Sequence, residues 1–134
     1  MSFCWQSKVL TLFPEIFPGP LGMSLAGQAI KKKLWSLETL NLRDYGIDGH
    51  ARVDDTPFGG GPGMVLRPDV IDAALHVARQ NGANLPLLVT SPRGVPLNQG
   101  RVRELANGPG LIILCGRYEG IDQRVIEEHR MEEV

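Results

Sequence analysis

A chain of 134 residues with 43% hydrophobic and 22% charged residues is sized for one globular domain with a real core. Its formal net charge of −1 excludes a polycation, so nucleic-acid contact must come from local basic patches such as Lys31-Lys32-Lys33. No apolar stretch approaches bilayer length and Met1–Lys8 lacks the pattern of a signal peptide, so the expectation is a cytoplasmic chain with no membrane partner.

Ser7 to Phe13 reads as the first strand, broken by Pro14 and the Phe17-Pro18-Gly19-Pro20 cluster. A helix follows from about Gly22 to Leu34, with Leu25, Ala26, Ala29, Ile30 and Leu34 on one face. Leu37 to Leu42 suggests a short strand, and residues 43–67 form a long irregular stretch. Pro68 opens a second helix as its first-turn residue. Val70, Ile71, Ala74, Val77 and Ala78 give that helix an apolar face, and Asn81-Gly82 ends it. Residues 86–90 read as a buried strand, 98–107 as a helix carrying Val102 and Leu105, and 111–115 as a second buried strand. Ile121 to about His129 is helical. This alternation predicts an α/β sandwich with a largely parallel sheet. The closing run Glu127–Val134 is charged and has no terminal cap, so it reads as the middle of a larger domain.

Cys4 and Cys115, two isolated cysteines, make neither a disulfide scaffold nor a metal cluster, and Cys115 reads as a small core residue rather than a nucleophile. His50, His76 and His129 share no metal-ligand spacing. His76 lies four residues after Asp72, which favours a solvated ion pair on the helix surface. The lysine run reads as a complement to a helix C-terminus rather than as an RNA site.

Three loops stand out. The strand Leu111-Ile112-Ile113-Leu114 leads into Cys115-Gly116-Arg117-Tyr118-Glu119-Gly120-Ile121-Asp122. Leu85-Pro86-Leu87-Leu88-Val89 leads into Thr90-Ser91-Pro92-Arg93-Gly94. Ligands of open α/β sheets sit outside the carboxyl ends of strands, so two polar strand-end loops point to one pocket. The third loop is Asp54-Asp55-Thr56-Pro57-Phe58-Gly59-Gly60-Gly61-Pro62-Gly63-Met64, with four glycines in five residues at 59–63. Glycines there let the backbone approach a ligand and expose its N–H groups. It is neither a Walker loop nor a dinucleotide fingerprint, because no Lys-Ser or Lys-Thr follows and the glycine spacing fails. Tight turns and a Gly-rich surface loop are the bland alternatives.

Together with Thr11-Leu12-Phe13-Pro14-Glu15 and Arg43-Asp44-Tyr45, these loops, in this order, resemble the bacterial TrmD family of tRNA (guanine-N1)-methyltransferases. The likeness runs from about Lys8 through nearly the whole chain. It implies a SPOUT-type α/β sandwich, S-adenosylmethionine as methyl donor, Mg2+ dependence, a homodimer, and a trefoil knot that these residues leave incomplete. The implied reaction methylates N1 of guanosine at position 37 of tRNA, beside the anticodon, and so supports the reading frame. By the same resemblance, Ser91 and Pro92 match the first cofactor loop, and Gly116, Tyr118, Glu119 and Gly120 the second. Asp54, Pro62 and Gly63 match the loop that lines the site and admits substrate.

Family members continue with a Ser-Ile-Gly-Asp-Tyr-Val-Leu-Ser-Gly-Gly-Glu-like segment that closes the knot, then a general-base aspartate, an assisting arginine and a tRNA-gripping C-terminal domain. The resemblance therefore makes residues 1–134 the N-terminal part of the donor-binding domain, with Glu119 in a supporting catalytic role and the main base beyond Val134. Two other readings stay open from the residues alone. One is a truncated, non-catalytic RNA-binding or dimerisation module. The other is a SPOUT methyltransferase acting on a different RNA.

Overall fold

The computed structural model describes residues 4–46, 54–55, 65–80, 84–116 and 121–134. Strand β1 (Trp5–Thr11) runs through the middle of a five-stranded sheet, and its residues from Ser7 to Thr11 are all buried. It pairs in parallel with β2 (Trp35–Asn41) on one side and with β6 (Gly110–Leu114) on the other. Burial from both faces is what a central parallel strand meets. The strand lies two residues earlier than its sequence pattern suggests. At its end the Phe13 N–H turns to Thr11 Oγ1 at 3.1 Å, and Pro14 begins a 3-10 turn.

Helix α1 (Ser24–Lys31) is shorter than expected and its apolar stripe is not core. Gly27 is its one buried residue, while Leu25 is 79% exposed. Its C-terminus closes with Lys33 in the left-handed region (φ 61°) and the Leu34 N–H on the Ala29 carbonyl at 3.0 Å. That is a Schellman stop, and it sets the lysine run at the helix's negative end as expected.

The stretch after β2 is not wholly irregular. It holds a 3-10 turn at Leu42–Tyr45 and a short antiparallel pair, β3 (Asp54–Asp55) and β4 (Val65–Leu66). Helix α2 (Pro68–Ala78) starts on its proline and buries Val70, Ile71, Ala74, Leu75 and Ala78. Leu75 takes the core place expected of Val77, which is exposed. The expected stop at Asn81-Gly82 lies outside the described residues.

Strand β5 (Leu87–Val89), helix α3 (Gln99–Asn107), β6 and helix α4 (Gln123–Glu128) follow in the expected order. Asn98 starts α3 by accepting the Arg101 N–H at 2.8 Å, and Asp122 starts α4 by accepting the Arg124 N–H at 2.9 Å. On α3, Leu105 is buried but Val102 is 37% exposed. The charged closing run adds β7 (Glu132–Glu133), in parallel register with Leu88 and Val89 of β5. The sheet order is β2-β1-β6-β5-β7, parallel throughout.

One apolar cluster holds these elements together. Leu10, Leu40, Leu87, Val89, Ile112 and Leu114 meet Val70, Ile71 and Ala74 of α2 and Val125 and Ile126 of α4. Leu87 and Val89, like Ile112 and Leu114, are two apart and so share a sheet face. Lys8 is buried beside this core, and its Nζ donates to the Ala78 carbonyl at the end of α2 at 2.6 Å. A cation placed on terminal helix carbonyls satisfies them and complements the dipole.

Candidate functional site

Strands β5 and β6 end level, with Val89 opposite Leu114. The chain therefore leaves the sheet side by side at Thr90-Ser91-Pro92 and at Cys115-Gly116. The Thr90 N–H still reaches the Leu114 carbonyl at 3.4 Å, and the Cys115 N–H donates to the Leu10 carbonyl at 2.9 Å. Both loops thus open at the carboxyl edge of three adjacent parallel strands, where α/β proteins bind ligands.

The first loop is a closed turn. Ser91 Oγ accepts the Arg93 N–H at 3.2 Å, and the Gly94 N–H donates to the Ser91 carbonyl at 3.0 Å. It is also laced to β7: the Ser91 N–H donates to the Val134 carbonyl at 2.9 Å and the Val95 N–H to the Glu133 carbonyl at 3.1 Å. Pro92 faces solvent at its tip.

In the second loop Gly116 is exposed, and a Cβ built there would sit 3.6 Å from Ile121 Cδ1, an ordinary contact. Ile121 in turn forms a parallel bridge with Leu66 of β4. Leu66 pairs with Asp54, so the β3–β4 pair is tied to the return of the second loop. The structure thus links three of the sequence's candidates: Asp54 by strand pairing, and the Ser91-Pro92 and Gly116 loops by adjacent strand ends. Tyr118, Glu119, Gly120, Pro62 and Gly63 lie outside the described residues.

The remaining matched segments stand on the same edge. Thr11 ends β1, and Asn41 ends β2 by accepting the Arg43 N–H at 3.0 Å. The Arg43 guanidinium lies 5.9 Å from the centre of the Phe13 ring. Burial, then the Asp44 and Glu38 carboxylates, push the Tyr45 phenol above its ordinary pKa, so it stays a neutral wall against the core. Burial pushes the Cys115 thiol up as well. A reactive cysteine needs the opposite shift, which supports the reading of Cys115 as packing.

Asp72 corrects an expectation. Its carboxylate bonds His129 of α4's C-cap rather than His76 one turn along its own helix. Asp72, Glu128 and His129 hold one ligand atom each within 4.8 Å of one another, a grouping that spacing along the chain could not show. Mg2+ prefers an all-oxygen set with several waters, so this exposed mixed group is not assigned to it.

Sequence reasoning missed the partners of Arg93. Its guanidinium donates to Gln123 Oε1 at 2.6 Å and Glu133 Oε1 at 3.3 Å. These residues lie 30 and 40 positions away, and no local pattern joins them.

Residues 5–134 match the family model described as tRNA (Guanine-1)-methyltransferase TrmD. A curated relative from Rhodopseudomonas palustris (strain TIE-1), called tRNA (guanine-N(1)-)-methyltransferase, is 62% identical over 97% of this chain and 52% of its own length. A relative of the same name from Mesorhizobium japonicum is 57% identical over 97% of this chain and 56% of its own. Among solved structures, the crystal structure of tRNA (m1G37) methyltransferase from Aquifex aeolicus aligns with a TM-score of 0.82 and 39% identity. That alignment covers 92% of this chain and 56% of the other. This chain spans about half the length of the curated relatives it matches. With its strand-end loops, its all-parallel sheet and these matches in agreement, the chain belongs to the TrmD family of tRNA (guanine-1)-methyltransferases.

Proposed function

We propose that residues 1–134 form the N-terminal part of the donor-binding domain of an enzyme that methylates N1 of guanosine 37 in tRNA and so protects the reading frame. The observation that carries this reading is the meeting of the Ser91-Pro92 and Gly116 loops at one carboxyl sheet edge, with the Asp54–Leu66 pair bridged to Ile121 on the return of the second loop. The edge fits S-adenosylmethionine. Gly116 and Pro92 are exposed at neighbouring strand ends, and neither brings a charge that would repel a cation.

When bound, the donor supplies an electrophilic methyl group on a positively charged sulfur. Ser91, Pro92 and Gly116 would hold it, with Tyr118, Glu119 and Gly120 completing the second loop by family resemblance. A carboxylate at Glu119 opposes the donor's positive charge. Asp54, Pro62 and Gly63 would line the guanosine side. Guanine N1 is protonated at neutral pH, so a positioned carboxylate must take that proton, and fixed donors must meet the charge that develops on O6. We assign the main base, the knot closure and the tRNA-gripping domain to the part of the enzyme after Val134. A homodimer, a Mg2+ requirement and a cytoplasmic location belong to the same proposal.

The test is calorimetric titration of the full-length enzyme with S-adenosylmethionine. Pro92→Leu and Gly116→Val should each weaken binding about tenfold or more, near 1.4 kcal/mol. Unchanged affinity in both variants would remove the pocket assignment and bring forward a non-catalytic RNA-binding module.

A further inference from the structure

Arg93 sits between the residue that tips the first donor loop and Gly94, which packs on Val134. Its side chain is 64% exposed, yet it is not idle. One guanidinium nitrogen donates to Gln123 Oε1 at 2.6 Å and to Glu133 Oε1 at 3.3 Å. Gln123 is the first residue of α4, where the chain returns from the second donor loop. Glu133 belongs to β7; its carbonyl already accepts the Val95 N–H, and the carbonyl of the next residue, Val134, accepts the Ser91 N–H. A single cation therefore joins the first donor loop, the return of the second, and the edge strand beside them.

An exposed ion pair adds little to global stability. What this one sets is distance: among the described residues, Arg93 ties the first loop to the start of α4 and to β7. We infer that Arg93 is a positioning residue that fixes the first donor loop against the start of α4 and against β7, and thereby sets the affinity for the methyl donor. The inference rests on the donor-loop reading of Ser91 and Pro92. The side-chain partners of Arg93 are Gln123 and Glu133, so its loss should act through the loop on donor binding rather than on tRNA recognition.

The test uses the full-length enzyme, with Arg93→Ala, Arg93→Lys and the charge exchange Arg93→Glu with Glu133→Arg. Arg93→Ala should raise KM for S-adenosylmethionine about three- to tenfold, the size of one or two lost hydrogen bonds, with KM for tRNA and the melting temperature unchanged. Arg93→Lys should recover only part of the loss, because the shorter lysine stem does not carry its ammonium to the place where one Arg93 nitrogen meets both acceptors. The charge exchange should recover more than the Arg93→Glu single variant. Hydrogen exchange of the Ser91 and Val95 amides, measured without donor, reads the loop directly and should quicken in Arg93→Ala. An unchanged donor KM with unchanged exchange would overturn the inference, as would parallel losses in donor KM, tRNA KM and melting temperature. If the wild-type enzyme binds no donor, the donor-loop reading fails by itself, and the exchange measurement still decides the pinning.

Discussion

Gly94→Ala is the sharpest probe of how the Ser91–Gly94 loop is held. Gly94 lies outside the left-handed region, so the cost of a side chain there is steric rather than conformational. A Cβ at this position would stand 2.5 Å from the Val134 carbonyl carbon and 2.7 Å from its Cα and N. Carbon atoms settle at about 3.5 Å or more, so loop and strand must part by about 1 Å. The same seam carries the Ser91–Val134 and Val95–Glu133 hydrogen bonds at 2.9 and 3.1 Å. Opening by that amount takes both beyond hydrogen-bond reach. Two lost bonds at about 0.5–1.5 kcal/mol each, with relaxation absorbing part of the overpacking, give a predicted loss of about 2–4 kcal/mol. Urea denaturation of the full-length enzyme measures the loss, and hydrogen exchange at Ser91 and Val95 locates it. A destabilisation under about 0.5 kcal/mol, the level of an ordinary surface change, would refute the packing of Gly94 against Val134.

Lys8→Met keeps the buried stem and removes the donor to Ala78, so denaturation should show a loss of about 1.5–3 kcal/mol; an unchanged midpoint would mean the helix end is satisfied otherwise. Leu114→Ala, at a fully buried position, should cost about 2–5 kcal/mol by the same assay, whereas Leu25→Ala on the exposed helix face should stay within about 0.5 kcal/mol. The Asp122 carboxyl is held below its ordinary pKa, first by the Arg124 side chain and then by the Arg124 N–H it caps. A depressed folded value gives stability that is present above the unfolded value of about 3.9 and lost as pH falls through the lower folded one. Asp122→Asn should therefore flatten the pH dependence of stability below about pH 4; an identical acid limb in variant and wild type would count against the cap.

The parts of the fold legible in the sequence are those whose signal is local. Leu87–Val89 and Gly110–Leu114 are apolar runs between turn residues, and both are buried parallel strands. Pro68 marked its helix start because its missing N–H has no helical partner there. β7 was illegible because two glutamates have poor strand propensity. It exists because its backbone pairs with β5 and because Arg101 grips Glu132 through two bonds of 2.9 and 2.6 Å. The face of α1 was misread because periodicity reports an apolar stripe, not what covers it, and Leu25 has no cover among the described residues. Lys8 sat in an apolar run as a plain interruption, yet the nearness of α2's last carbonyls makes its burial workable.

The site divides the same way. Loop composition pointed to the two strand-end loops, the family resemblance picked out Ser91, Pro92 and Gly116 within them, and the level ends of β5 and β6 bring the loops together. The link from Asp54 through Leu66 to Ile121, and the reach of Arg93 to Gln123 and Glu133, join residues far apart in sequence through tertiary packing alone.

Methyl transfer from labelled S-adenosylmethionine to unmodified tRNA transcripts tests the central claim most directly. The full-length enzyme would be given a transcript with guanosine at position 37 and one with adenosine there, beside residues 1–134 alone. The account predicts transfer by the full-length enzyme to the guanosine transcript, none to the adenosine transcript, and none by residues 1–134. No transfer by the full-length enzyme to the guanosine transcript, or equal transfer to both, would contradict it.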